Sequence, residues 1–292
     1  TVASMTSGQI TNMSGGPITN LTAGIIHACH TGATISTMAG GKITDFNNGT
    51  LTTWTGGEIE NLNSGNIALI QSNNKIENMK GGSVTSMTGG EITNVDAGTI
   101  SSVTGGVIDN FNNGGTIATL DGGTINEFNN GALTNWISGL IENLNAGIIN
   151  KIQSNSVINN MKGGTVTSMV DGKINNMTAG TVSSITGGEI ASMSGGDVTV
   201  IDGGLITSLS GGTVATMTSG DVTTLSGTGK ITTMDNGAVG SMTAGTITTM
   251  NDGIVSSFSG GTIGTLNQNA TITNWNGGTV NNFNDANYGT WT

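Results

Sequence analysis

The stretch Thr246-Ile247-Thr248-Thr249-Met250-Asn251-Asp252-Gly253 shows the eight-residue unit from which almost the whole chain is built. An Ile or Val is followed three residues later by Met, Leu, Phe or Trp, and three residues after that by Gly. β-Branched residues favour an extended backbone, and each glycine costs a helix about 1 kcal/mol relative to alanine. This unit, which we call an octad, is therefore predicted to form a short strand followed by a turn.

Glycine occupies the last place of most octads, as at Gly41 and Gly57. A place that demands glycine usually requires a positive φ angle or a close approach of the backbone. The replacements Asn73, Asn155 and Asn269 support this interpretation, because Asn tolerates the left-handed region better than most residues. We therefore expect left-handed turns at the octad corners.

A single octad cannot bury its apolar side, so octads are expected to stack in coils that share one core. The predicted fold class is all-β, a β-solenoid built from octapeptide strand-turn repeats with neighbouring strands about 4.8 Å apart. Residues 1–284 are predicted to form one continuous, elongated repeat domain. Residues 285–292 lose the repeat and are predicted to form a C-terminal cap or connection, since exposed strand edges promote aggregation.

The sequence leaves the number of octads per coil open. Some octads begin one residue late, and most gaps between them are 41 residues, so that a segment of 82 residues is nearly duplicated. The late octads begin at Ile35, Ile76, Ile117, Ile158, Ile231 and Ile272. Stacking the enlarged corners would give a coil of five octads, whereas a triangular coil of three octads would scatter them.

The two apolar places of an octad raise a question of direction. Residues three apart on a straight strand point to opposite faces. We call the position three residues after the Ile or Val the Met place. Either the strand bends so that the Met place also faces inward, or the Met place is buried against another chain. The second alternative predicts a homo-oligomer, intertwined or laterally associated.

Composition limits the partners. The net charge is −11, and the basic residues are seven lysines without arginine, which argues against nucleic acid and anionic membranes. No apolar run approaches the roughly 20 residues of a membrane span. The single Cys29 excludes an internal disulfide, and the few sites for trypsin-like proteases suit an extracellular protein.

The spacing Ile/Val-x-x-Met/Leu-x-x-Gly resembles, at the level of architecture, two groups of surface fibres. One contains the secreted β-helical adhesins and autotransporter passengers, and the other contains phage tail spikes and needles with octapeptide β-helices. Thr-rich β-solenoid antifreeze proteins are a third comparison. These resemblances imply an extracellular structural role, on a cell or virion surface or in secreted form, and assembly from identical chains.

Several residue groups carry candidate chemistry. His27, Cys29 and His30 have metal-ligand types, but Cys29 occupies a Met place, and a small buried core residue is the simpler interpretation. Asp121, Asp202 and Asp252 precede glycines and are explained by turn chemistry, with weak calcium binding as the alternative. The remaining carboxylates are scattered and repeat with the duplication, which does not favour the paired acids of a glycosidase. They include Glu58, Glu60, Glu77, Asp109, Glu127 and Glu142. We predict no enzyme, no cofactor and no metal site.

The aromatic residues occupy the Met place, where packing is the simpler interpretation and a sugar-stacking platform the alternative. They are Trp54, Trp136, Trp275, Phe46, Phe111, Phe128, Phe258 and Phe283. Threonine often follows the Ile directly, at Thr85, Thr93, Thr167, Thr199, Thr207, Thr223, Thr232 and Thr248. Such columns are interrupted at Glu60, Glu77, Asp109, Glu142, Asn150 and Asn159, which makes Thr199–Thr273 the cleanest candidate for a threonine ladder.

The leading functional hypothesis is an extracellular structural protein, a stiff and self-associating β-solenoid rod that acts as a fibre, spike shaft or adhesin stalk. The alternative is an ice-binding protein with a flat Thr-rich face. A weaker alternative is a glycan-processing tail spike. The expected partners are identical chains, and a surface glycan or ice; nucleic acid is not expected.

Overall fold

The computed structural model describes residues 1–112, 114–284 and 287–291. Strands make up 76% of the chain, and the described residues contain no helix, hence none that could cross a membrane. The chain divides into two compact units, Thr1–Glu142 and Asn143–Thr292. In both units parallel strands stack as a β-solenoid, which confirms the predicted fold class.

The strands follow the octads closely, and several run on through a corner into the next octad. The first twelve are β1 (Val2–Met5), β2 (Gln9–Met13), β3 (Gly16–Leu21), β4 (Ile25–His30), β5 (Ala33–Met38), β6 (Lys42–Trp54), β7 (Gly57–Ile70), β8 (Asn74–Met79), β9 (Ser83–Val95), β10 (Gly98–Phe111), β11 (Gly115–Phe128) and β12 (Ala132–Leu144). The others are β13 (Ile148–Ile152), β14 (Ser156–Met161), β15 (Thr165–Met169), β16 (Lys173–Met177), β17 (Thr181–Ile185), β18 (Glu189–Leu225), β19 (Lys230–Met234), β20 (Ala238–Met242), β21 (Thr246–Met250), β22 (Ile254–Phe258), β23 (Thr262–Asn267), β24 (Thr271–Trp275), β25 (Thr279–Asn284) and β26 (Asn287–Trp291).

Each coil contains two octads. Val2 pairs with Ile18, and Ile10 pairs with Ile26, so that every second octad is a neighbour in the sheet. Residues in register are therefore 16 or 17 positions apart along the chain. The coils of five octads and of three octads considered from the sequence are both wrong.

The late octads suggested a longer coil, but in the structure they do not stack on one another. Successive late starts such as Ile35 and Ile76 are separated by five octads, which is two and a half coils. They consequently fall on alternate sides of the coil. The near-duplication corresponds to five whole coils, so that Phe46 and Phe128, both in unit 1, lie on the same side of the coil.

Every enlarged corner absorbs its extra residue by turning a small side chain or a glycine into the interior. This residue lies two positions before the late Ile and is buried in each case. The six residues are Ala33, Asn74, Gly115, Ser156, Gly229 and Ala270. Because the corner accommodates the insertion locally, no second enlarged corner is needed above it.

Both apolar places of the octad face the interior of the same coil. In unit 1, Ile35 and Met38 are both fully buried, with two outward-facing residues between them. Ile174 and Met177 repeat the arrangement in unit 2. The prediction that the Met side is covered by another chain is therefore wrong, because each coil buries its own Met places.

Corner glycines carry the hydrogen-bonded ladder around the bend. The carbonyl of Gly82 accepts a hydrogen bond from the Thr99 amide at 3.1 Å, and in unit 2 the carbonyl of Gly172 accepts one from Glu189 at 3.0 Å. Gly98 itself has a φ of +98°. A Cβ at Gly98 would lie 2.7 Å from both the Gly82 carbonyl oxygen and the Met79 ε-methyl group. Glycine is thus required for its conformation and for the close contact between coils.

The asparagines that replace corner glycines behave in two ways. Asn155 has a φ of +63°, as predicted. Asn73 and Asn269 are not among the described residues with positive φ, so the expectation was wrong for them. Each is the third residue of a β-turn, closed by the amide of Asn74 on the Gln71 carbonyl or by the amide of Ala270 on that of Asn267. Such turns do not require a left-handed third residue.

The end of the repeat continues the strand pairing. The main chain of β26 pairs in parallel with β24, with Ile272 opposite Tyr288. Residues 285, 286 and 292, on which part of the predicted cap falls, lie outside the described residues. The boundary between a continuous repeat at 1–284 and a cap at 285–292 stays a prediction.

The two-octad coil gives each unit two outward faces. The Ile, Val and Leu residues that pair from one coil to the next form a column. A face consists of the residue before each Ile, Val or Leu of one column and the two residues after it. In unit 1, face A surrounds Val2, Ile18, Ile35, Leu51, Ile67, Val84, Ile100, Ile117 and Leu133. Face B surrounds Ile10, Ile26, Ile43, Ile59, Ile76, Ile92, Ile108, Ile125 and Ile141.

Unit 2 has two corresponding faces, which we call C and D. Face C surrounds Ile149, Val166, Val182, Val198, Val214, Ile231, Ile247, Ile263 and Val280. Face D surrounds Ile158, Ile174, Ile190, Ile206, Val222, Val239, Val255 and Ile272.

Substituting a stacked corner glycine tests this packing. We expect Gly98→Ala to lower the free energy of unfolding by about 2 kcal/mol or more, because backbone strain and the contact with the Gly82 carbonyl add together. Urea denaturation followed by circular dichroism measures the change. The matched control is Gly16→Ala, where φ is +76° but nothing lies within 4 Å of the added Cβ. Equal losses in the two variants would contradict the requirement for close contact.

Candidate functional site

Face A of unit 1 is built almost entirely from short, uncharged side chains. Its hydroxyl-bearing residues are Thr1, Ser4, Thr19, Thr34, Ser36, Thr37, Thr50, Thr52, Thr53, Ser83, Thr85, Ser86, Thr99, Ser101, Ser102, Thr116, Thr119 and Thr134. Alanine and asparagine fill most of the remaining places. No outward position of this face carries a charged side chain, and all of these positions belong to the described residues.

The hydroxyl groups of face A form a regular array. Thr52, Thr85, Ser101 and Thr134 each follow a buried aliphatic residue directly, and all four are exposed. Parallel pairing places the strands of successive coils, which we call rungs, about 4.8 Å apart. Because the side chains are short and each strand is held by its neighbours, the methyl and hydroxyl groups make a low, repetitive surface.

Charged side chains in unit 1 gather on the opposite side of the coil. Face B carries Lys42, Asp45, Glu58, Glu60, Lys75, Glu77, Glu91, Asp109, Glu127 and Glu142. The other charged side chains of the unit, Lys80, Asp96 and Asp121, lie in corners. The two-octad coil thus separates a neutral hydroxyl face from an acidic one.

Ion pairs link neighbouring coils along face B. The Lys42 Nζ lies 2.8 Å from Glu60 Oε2 and 3.1 Å from Glu58 Oε1, and Lys75 lies 2.9 Å from Glu91. Hydrogen bonds to Glu60 and Glu58 raise the pKa of Lys42, and the bond to Glu91 raises that of Lys75. The same bond from Lys75 lowers the pKa of Glu91. These pairs are partly exposed, so each contributes little by itself.

An amide ladder runs beside the ion pairs on face B. The Asn61 amide donates to Asp45 at 3.0 Å, Asn78 to Asn61 at 3.3 Å, Asn94 to Asn78 at 3.0 Å and Asn110 to Asn94 at 3.1 Å. Asn61, Asn78 and Asn94 each donate one hydrogen bond and accept another within the row. The ladder fixes the side chains of face B in register from coil to coil.

The predicted interruptions of the threonine columns are corrected by this sorting. Glu60, Glu77, Asp109 and Glu142 all lie on face B, so they leave face A intact. Asn150 lies on face C and Asn159 on face D. The sequence reading treated all octads as one column, whereas only alternate octads share a face.

The segment Thr199–Thr273 is not the cleanest array. Its threonines divide between the two faces of unit 2, with Thr199 and Thr248 on face C but Thr207 and Thr223 on face D. Within this segment face C carries the charged residue Lys230, and face D carries the charged residue Asp221. The prediction for this segment was wrong, and face A of unit 1 is the better candidate.

The His-Cys segment does not come together as a site. Cys29 is fully buried in the place usually taken by Met, and this burial raises its pKa to about 11. The interpretation of Cys29 as a small core residue is confirmed. His27 faces outward, with its Nε2 3.2 Å from Gln9 Oε1, and His30 lies in the following corner. Within the described residues, no group of three or more His, Cys, Asp or Glu side chains is placed to hold a metal ion.

The corner aspartates serve two kinds of hydrogen bond. Asp252 accepts a hydrogen bond from the amide of the next residue, Gly253, at 2.6 Å, which is a local bond within the corner and not the Asx-type turn predicted for it. Asp121 instead accepts from the Ser138 hydroxyl at 3.0 Å, and Asp202 accepts from Thr218 at 2.9 Å. These last two bonds join successive coils rather than closing a turn.

Most aromatic side chains pack in the core, as predicted. Trp136, Phe46, Phe111, Phe128 and Phe258 are fully buried, and Trp54 is 3% exposed. The rings of Phe111 and Phe128 pack with centroids 4.9 Å apart and their planes tilted by 38°. Trp275 and Phe283 are the exceptions: Trp275 is half-buried, and Phe283 has 42% of its surface exposed and its ring stacked on that of Trp275. None of these buried rings is available as a flat platform for a sugar.

Comparison with known proteins gives no assignment: no protein-family model, curated protein or solved structure matches the chain. The site therefore rests on its own geometry. Sequence reasoning missed the two sorted faces, although the signal is present. Reading every second octad of the first unit places all the acidic interruptions in one set and none in the other.

The Lys75–Glu91 pair predicts a specific pH dependence. Because the pKa of Glu91 is lower in the folded chain, its charge stabilises the fold above the ordinary value near 4.5. That contribution is lost as the pH falls through the lower folded value. We expect a double-mutant cycle of Lys75→Met and Glu91→Gln to give a coupling below about 1 kcal/mol at pH 7, since the side chains are 43% and 40% exposed. Urea denaturation at a series of falling pH values should show that the coupling decreases below pH 4.5, as Glu91 takes up a proton; a coupling that does not change with pH would contradict the ion pair.

Proposed function

We propose that the protein is an extracellular ice-binding solenoid that adsorbs to ice through face A of unit 1. The observation that carries this proposal is the sorting of hydroxyl and charged side chains onto opposite faces. Face A presents hydroxyl and methyl groups in rows, and charged groups are confined to face B and the corners. A neutral array on one side alone indicates a partner that contacts that side.

The periodicity of face A suits a crystalline partner. Where its strands are paired, its rungs repeat about every 4.8 Å along the unit, a distance comparable to the repeat of water molecules along one axis of hexagonal ice. Hydroxyl groups can replace lattice waters as hydrogen-bond donors and acceptors, while methyl groups fill the spaces between them. A soluble ligand of irregular shape would not use such a long and repetitive surface.

The lack of charge on face A supports the same partner. A charged group brought against a neutral lattice would lose hydration without gaining a partner, at a cost of several kcal/mol. Short hydroxyl side chains hold little water that must be removed. A crystalline polysaccharide is the competing lattice, but it would favour aromatic stacking platforms, and the outward positions of face A contain no aromatic residue among the described residues.

Ice activity of the whole chain tests the proposal directly. We expect thermal hysteresis and inhibition of ice recrystallisation at micromolar protein. Thr85→Lys places a cation in the middle of face A and should lower the hysteresis by more than about two-fold, because the lysine must be desolvated on adsorption. Nanolitre osmometry measures both proteins.

The matched control is Thr44→Lys on face B. Thr44 and Thr85 each follow a buried aliphatic residue in unit 1; Thr44 is half-buried on face B, and Thr85 is exposed on face A. Thr44→Lys should keep the hysteresis of the unmodified chain. Absence of ice activity in the unmodified chain, or equal losses in both variants, would refute the proposal. Retention on crystalline chitin or cellulose without ice activity would favour the polysaccharide instead.

A structural role as fibre, spike shaft or adhesin stalk is the second candidate, and the ladders of face B favour it. Ion pairs and amide rows connect coil to coil there, in addition to the main-chain pairing. Unit 2 repeats the device with the row Asp235, Asn251, Asn267 and Asn284, joined by bonds of 2.7 to 2.8 Å. Such rows oppose sliding of one strand past the next, which is the mechanical requirement of a shaft.

Association of identical chains distinguishes this second role. A shaft or fibre is expected to form dimers or longer assemblies, and sedimentation velocity over a hundred-fold range of concentration measures them. Since the Met places are buried within each coil, Met-directed contacts are not expected to contribute. A chain that stays monomeric over the whole range would contradict self-association while leaving the ice proposal intact.

A further inference from the structure

The strand ladder of face A opens at one point in unit 1. Thr50 pairs with Asn66 and Leu51 with Ile67, but the pairing between β6 and β7 goes no further along this rung. Both strands continue, β6 to Trp54 and β7 to Ile70. On their other sides the same residues remain paired, Trp54 with Met38 and Ile70 with Met87. β6 and β7 therefore separate from each other here, while each stays paired with its other neighbouring strand.

The indole of Trp54 provides a physical cause for the separation. Trp54 occupies a core place that is usually taken by Met or Leu, and its Nε1 donates to the carbonyl of Gly56 at 3.1 Å. In the coil before, the Thr55 amide continues the ladder by donating to the Met38 carbonyl at 2.8 Å. The corresponding amide, that of Gln71, donates instead to Asn74 Oδ1 at 2.6 Å. The wide indole ring of Trp54 and the diverted hydrogen bond of Gln71 both occur where β6 and β7 separate.

The diverted bond leaves the corner incompletely satisfied. Asn74 is 2% exposed, and its amide nitrogen Nδ2 has no hydrogen-bond partner. A buried, unpaired amide costs about 1–3 kcal/mol. This part of the ladder is thus held open at an energetic cost that the neighbouring rungs do not carry.

The separation creates a cleft of about 280 Å³ on face A. Thr52, Thr53 and Gln71 supply two hydroxyl groups and an amide at its wall, and Ala68 and Leu69 supply an apolar surface. The main chains of Thr53 and Leu69 are not paired with each other, and such pairing would close the gap between β6 and β7. No charged residue lines the cleft.

We propose that this cleft, the Trp54 cleft, binds a small neutral polyhydroxylated molecule of the size of a monosaccharide. Its volume lies just below the roughly 300 Å³ at which pockets for larger ligands begin. Hydroxyl groups of such a ligand can bond both to the wall side chains and to the unpaired main-chain groups, while its C–H groups contact Ala68 and Leu69. The absence of lining charge favours a neutral ligand over an acidic sugar. The inference does not rest on adsorption to ice.

Titration of the isotope-labelled full chain tests the cleft. The probes are glucose, N-acetylglucosamine and, as a smaller polyol, glycerol, each followed by amide chemical shifts. We expect at least one sugar to give saturable shifts that are confined to Thr53, Leu69, Gln71 and their neighbours. Shifts that grow linearly with concentration, or that spread over face A, would overturn the proposal, as would a cleft that only water occupies.

A matched pair of variants sharpens the result. Ala68→Leu fills the cleft from its exposed side and should weaken the binding at least ten-fold. Ala118→Leu makes the same change directly after a buried Ile on face A, where the rungs Ile100 and Ile117 are paired in full. This control should bind as the unmodified chain does. Equal binding by the two variants would show that the shifts arise elsewhere.

Discussion

The whole architecture depends on the close stacking of glycine corners. A corner glycine in the left-handed region places its carbonyl beneath the next coil, where it accepts the hydrogen bond that carries the ladder around the bend. A Cβ there would meet backbone atoms of the coil below. Because the corner is so tight, the strands on its two sides lie close enough to share one thin core. Ile and Met places from both strands form that core.

The sequence was sufficient to predict the strand, the corner and the solenoid, because these follow from one octad and its immediate repetition. It was not sufficient for the number of octads per coil. The late starts at Ile35 and Ile76 suggested a longer period, since the cost of an extra residue at a corner could not be judged from the sequence. Burial of Ala33 and Asn74 shows how that residue is absorbed without a matching neighbour. The inward direction of Met38 was likewise one of two alternatives until its burial within the coil was known.

The candidate surface was hidden for a related reason. Thr85 and Glu77 belong to neighbouring octads and interrupt one another in the sequence, yet they lie on opposite faces of unit 1. Once alternate octads are separated, the neutral face and the acidic face are evident from residue types alone. The Trp54 cleft could not have been found in this way, because a ladder that opens between two rungs leaves no pattern in the octads. Only the pairing of β6 with β7 shows it.

The two-octad coil also restricts how such a gene can grow. Adding or losing one octad would exchange the two faces for every residue downstream, so that a row of threonines would continue as a row of carboxylates. Only an even number of octads keeps the rows intact. The near-duplication that links Phe46 with Phe128 spans ten octads, an even number, and it places Phe128 on the side of unit 1 that holds Phe46. Lengthening by whole coils is therefore the form of tandem duplication that preserves a patterned surface.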